Sequence, residues 1–74
     1  MVIRHATLRT KDNRYEYFLT KEDHQYEYRE ETNGKVTDTQ HRSSLSEAKE
    51  LFDTELMGYK EGLIRMDINF TQGD

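Results

Sequence analysis

Three histidines, His5, His24 and His41, and fifteen aspartates and glutamates are the side chains with which this chain could hold a metal or move a proton. The histidines lie far apart and have no spacing typical of metal ligands, so surface positions are expected for them, with no metal and no cofactor. Carboxylates are so abundant that a pair for acid–base chemistry could be chosen almost anywhere, which makes such a pair uninformative. The absence of cysteine removes a thiolate nucleophile, and neither a G-x-S-x-G elbow nor a glycine-rich phosphate loop occurs. A chain of 74 residues also has little room for the ~300 Å³ or more that ligand sites occupy. No enzymatic activity and no catalytic residues are expected.

What remains is the chemistry of contact. Tyr15, Tyr17, Tyr26 and Tyr28 recur at alternate positions, and tyrosine suits a surface that is wet when free and buried on association. The competing reading is a cross-strand ladder in the core, each good pair contributing roughly 0.2–1 kcal/mol. Phe18 falls on the opposite side of that alternation, either as a contact residue of the second face or as the mark of a register misread by one, and misreading is slightly favoured. Glu47, Glu50, Asp53 and Glu55 form an acidic helix face, first a solvated surface and second a docking surface for a basic protein. Glu16, Glu27 and Glu30 offer a similar charge on the strands. Arg14, Arg29, Lys35 and Arg42 could follow a single-stranded backbone past stacked aromatics. Against nucleic acid stand the net charge of −4 and the lack of an RRM-type glycine-aromatic motif.

These residues need elements to position them. Hydrophobic residues make up 32% and charged residues 35% of the chain, close to a disordered composition, yet five tyrosines, three phenylalanines and clean periodicities predict a folded single domain spanning the whole chain. Val2 to Arg9 reads as a strand with Val2, Ala6 and Leu8 on one side, although Arg4 breaks the alternation. After Lys11-Asp12-Asn13-Arg14, a turn, Tyr15 to Thr20 and Gln25 to Glu30 read as further strands. Asn33-Gly34 is a strong hairpin signal, since both central positions of a type I′ turn need φ > 0, and Lys35 to His41 reads as a polar edge strand. Ser44 and Glu47 have the capping-box spacing that opens a helix, Leu45, Ala48, Leu51, Phe52 and Leu56 give it an apolar stripe, and Gly58 is its expected stop. Leu63 to Phe70 alternates as a last strand, with Thr71 to Asp74 a frayed tail.

The predicted fold is therefore α+β: an antiparallel sheet of four to five strands in β-β-β-β-α-β order with one helix on one face. The last strand is expected antiparallel beside the first; the alternative sets it parallel beside the fourth. Ala6, Leu8, Tyr15, Tyr17, Leu19, Tyr26, Tyr28, Val36, Ile64, Met66, Ile68 and Phe70 would share the apolar side. Five strands span roughly 24 Å and one helix about 10–12 Å, so the helix is expected to leave the tyrosine end uncovered. That end becomes the expected interface, for a different protein or for a second copy in a homodimer. Lack of cysteine, of an N-terminal targeting pattern and of any apolar run near the ~20 residues a span requires gives the expectation of a soluble, cytoplasmic protein without membrane contact.

In size, acidity and lack of catalytic motifs the chain resembles the small inhibitors that phages make against host enzymes or defence complexes, anti-CRISPR proteins among them. The resemblance is one of type and is carried by no motif. It implies that the protein occupies a partner's functional surface, with Glu47, Glu50, Asp53 and Glu55, or Glu16, Glu27 and Glu30, standing in for phosphates.

Overall fold

The computed structural model describes the backbone of residues 1–66 and 69–73 and the side chains of residues 1–58. Strands β1 (Val2–Arg9), β2 (Arg14–Glu22), β3 (Gln25–Thr32) and β4 (Lys35–Arg42) form an antiparallel meander, followed by helix α1 (Leu45–Met66) and strand β5 (Asn69–Gly73). The sheet order is β4-β3-β2-β1-β5, with β5 antiparallel to β1. The fold is α+β, as the periodicities predict.

The turns follow from local chemistry. Asn33 and Gly34 take φ of 52° and 85°, the pair of positive values that a type I′ turn demands. Asn33 does more than turn the chain: its Oδ1 accepts the Arg14 amide at 2.8 Å and its Nδ2 donates to Asn13 Oδ1 at 2.9 Å. One asparagine thus ties two turns at the same end of the sheet. Nothing lies within 4 Å of the position a Cβ on Gly34 would take. Gly34→Ala is therefore expected to cost only the left-handed backbone penalty of about 1 kcal/mol, lowering Tm by roughly 4–8 °C in a circular-dichroism melt.

Two irregularities change which face a residue occupies. The register of β1 on β2 shifts between Val2 and Arg4, so that Val2 pairs with Thr20 while Arg4 pairs with Leu19. Ile3 packs against the core and Val2 is 55% exposed, which corrects the placement of Val2 beside Ala6 and Leu8. A second shift between Glu30 and Glu31 makes Val36 the partner of Glu31. An extra residue on one strand flips side-chain parity beyond it, so Val36 leaves the helix side and is 58% exposed.

The largest difference from the sequence reading is the length of α1. Gly58 does not end it, and residues 63–66, expected as the start of the last strand, are helical. Leu56, Tyr59, Leu63 and Met66 also recur at helical spacing, no proline intervenes, and one interior glycine costs only about 1 kcal/mol. The last strand begins later, with Phe70 opposite Leu8 and Thr71–Gly73, expected as frayed, paired with His5–Thr7. Of the expected strand, Asp67 and Ile68 lie outside the described residues, as does Asp74 of the tail, and the sides expected for Ile64, Met66 and Phe70 concern side chains outside that range.

The longer helix packs against β2, β3, β4 and β5, both ends of the sheet included, and so crosses it from edge to edge. The core lies beneath it: Ala6, Leu8, Tyr17, Leu19 and Tyr28 from the sheet and Ala48, Phe52 and Leu56 from the helix. Tyr28 and Phe52 meet edge to face, their ring centres 6.1 Å apart at 80°. The Ser44 Oγ accepts the Glu47 amide at 3.3 Å, the first half of the expected capping box.

Candidate functional site

Side-chain parity sends the tyrosines to the helix side, and there the interface expectation meets its main correction. Tyr17 and Tyr28 are 2% and 1% exposed, covered by the chain's own helix and therefore closed to a partner. Tyr15 and Tyr26 are half-buried against the margin of the same cluster. The width comparison set the helix's width against the sheet's, whereas the helix crosses the strands and lies over β2 and β3, which carry Tyr17 and Tyr28. The Tyr28 hydroxyl donates to Glu30 Oε1, and this bond holds one of the proposed acidic contacts on the covered side.

The other face carries no helix, and Phe18 stands at its centre. The alternation was read in the right register: Phe18 points away from the core because His5, Phe18 and Arg29 are direct cross-strand partners on β1, β2 and β3. The His5 ring stacks on Phe18 at 4.6 Å and 7°, and the Arg29 guanidinium carbon lies 4.9 Å from the centre of the phenyl ring. His5 and Arg29 approach from strands on opposite sides of β2, so Phe18 is contacted from both of its neighbouring strands. Arg29 is in turn held by Glu31 at 2.9 Å and by Glu27 at 3.4 Å. Glu16 takes Arg14 at 3.1 Å and His5 at 3.7 Å, and Glu27 takes His41 at 3.4 Å. This is a ladder of stacked rings and paired charges that makes up for the missing second layer, each cation–π or cross-strand contact adding roughly 0.2–1 kcal/mol.

The same ladder removes the support for base stacking. Phe18 already carries the His5 ring and the Arg29 guanidinium, three carboxylates pair with those two partners, and the four cations proposed to track a backbone do not line up. Arg14 and Arg29 lie on the uncovered face bonded to glutamates. Arg42 lies beside Tyr26 on the helix side, its guanidinium donating to Gln40 Oε1 at 3.3 Å and to the His41 carbonyl at 2.8 Å. Sequence spacing alone could not find His5 or Arg29 as partners of Phe18, since the contacts depend on the pairing of three strands.

On α1, Glu47, Glu50 and Asp53 are exposed and Glu55 is half-buried on the flank of the apolar stripe. Asp53 is engaged: Arg4 Nη1 donates to its Oδ1 and ties the helix to β1, an exposed pair worth about 0–1 kcal/mol. Glu47 and Glu50 lie toward β4, where together with Arg42, Leu51 and Thr54 they line a groove of about 230 Å³. A larger depression of about 500 Å³, lined mostly by exposed residues, sits where the β2–β3 turn meets the end of β4. Its lining includes Glu22, Asp23, His24 and His41, so chain length underestimated the concave surface a domain of this size can build. Among the described residues, no group of three or more His, Asp or Glu side chains is placed to hold a metal ion.

No protein-family model matches this chain, and neither the curated proteins nor the solved structures contain a match. Among the described residues no helix is long and apolar enough to cross a membrane.

Proposed function

We propose that this chain is a small non-enzymatic module that binds another protein through the acidic outer side of α1. The observation that carries the reading is the alignment of Glu47, Glu50 and the 54% exposed Met57 at helical spacing on the side away from the core. Carboxylates set around an exposed apolar side chain suit a basic, partly apolar partner surface, and the net charge of −4 favours the encounter. An inhibitor of the kind phages direct at host enzymes or defence complexes is one form of this activity, with Glu47 and Glu50 in the place of phosphates. A homodimer through the tyrosine-rich face is the weaker reading, because α1 of the same chain already buries Tyr17 and Tyr28.

The test compares partners captured from a lysate by the natural chain, by E47K/E50K and by Phe18→Ser. The reading requires a partner that is retained by Phe18→Ser, lost by the charge reversal and released by added salt. A partner that survives the charge reversal, or one lost only with Phe18, sinks it.

A further inference from the structure

From the free edge of β4 and the groove beside it, we infer that the partner segment is an extended chain with basic side chains at alternate positions, added to the sheet as a strand next to β4. The inference rests on the protein-binding reading and names the chemistry of what binds. β4 ends the sheet, and among the described residues it pairs with β3 alone. Edge strands are guarded against further pairing by bulges, lysines and prolines. Here the guards stand at one end: Lys35 opens the strand, and the bulge lies at Val36–Asp38, opposite Glu30 and Glu31. From Asp38 to Arg42 the pairing with β3 is regular, with neither bulge, lysine nor proline, and its charged side chains Asp38 and Arg42 are both engaged by Gln40 of the same strand. This half leads to the groove lined by Arg42, Glu47, Glu50, Leu51 and Thr54.

The chemistry of that groove selects the occupant. A strand laid along Asp38–Arg42 would place every second side chain on the helix side of the sheet, the side that carries Asp38, Gln40 and Arg42. Those side chains would meet Glu47 and Glu50 above and Leu51 between sheet and helix. Arg42, the cation of the lining, already donates to Gln40 Oε1 and to the His41 carbonyl, and Gln40 donates to Asp38 Oδ2 at 3.1 Å. Glu47 and Glu50 are exposed. Lysine or arginine fits there, since its methylene stem covers Leu51 while its charge reaches the rim. Main-chain hydrogen bonds would supply affinity, and the alternate basic positions would supply selectivity.

The probe is a short capped peptide alternating lysine and valine, titrated into the isotopically labelled full chain and followed by amide chemical shifts and hydrogen exchange. The expected result is new protection at amides of Asp38–Arg42 with shifts at Glu47–Thr54. Affinity should fall about tenfold in Glu47→Gln/Glu50→Gln, whose substitutions sit on an exposed helix surface and spare the fold. The same peptide methylated at alternate backbone nitrogens should not bind, because it cannot pair with an edge. Equal binding by the methylated peptide overturns strand addition yet leaves an acidic contact on α1 intact. Shifts confined to the face of Phe18, or no binding at millimolar peptide, overturn the inference outright.

Discussion

Replacing Phe52 with alanine is expected to lower Tm by at least about 12 °C. Phe52 is fully buried, it meets Tyr28 edge to face, and it sits in the middle of the stripe that α1 presents to the sheet. Deleting a buried phenyl ring costs about 3–5 kcal/mol, because both the transfer energy and the packing around the cavity are lost. At roughly 0.05–0.15 kcal/mol per residue, a chain of 74 residues has about 4–11 kcal/mol in total. The loss therefore approaches the whole margin at the lower end and lowers Tm by at least about 12 °C at the upper. Thermal melts followed by circular dichroism measure it, and a fall of only a few degrees would mean that the helix is not anchored through this ring.

The second large effect separates two tyrosines that the sequence treats alike. Tyr28→Ala is expected to destabilise by about 3 kcal/mol or more, whereas Tyr26→Ala, at the half-buried margin, should cost about 1 kcal/mol. Tyr28→Phe keeps the ring and removes the hydroxyl that donates to Glu30, a bond worth about 1.5–3 kcal/mol when the acceptor is charged. Urea unfolding of the three variants gives the comparison. Equal, small costs at both positions would return the tyrosines to the surface and restore the interface expected from their spacing. Loss of partner binding in Tyr28→Ala has no bearing on contact unless the variant is first shown to be folded.

The pale side of the sheet teaches how such a small domain manages with one helix. On the uncovered face Phe18 is flanked by His5 and Arg29, and Glu16, Glu27 and Glu31 are paired with arginine or histidine. Charges compensated in this way tolerate water on one side and neighbouring side chains on the other. The surfaces we propose for a partner are therefore the outer side of α1 and the edge of β4.

By itself the sequence determined the first four strands, their turns and the start of the helix. Period-2 alternation, the Asn33-Gly34 dipeptide and the spacing of Ser44 and Glu47 are local signals, and local backbone energetics are enough to read them. It also set Phe18 opposite the tyrosines in the alternation, with a misread register slightly favoured, and only the pairing of β2 with β1 and β3 fixed the outward position. Tertiary structure decided the rest. The bulges that turn Val36 outward and bring Ile3 to the core exist only where two strands are paired, and no residue in either strand announces them alone. Where α1 ends is not legible in the spacing, since the run after Gly58 satisfies both helical and alternating periods and the helix continues to Met66. Whether a tyrosine is core or contact is not legible there either: burial depends on which element crosses above it, and that is a property of the assembled layers rather than of spacing along the chain.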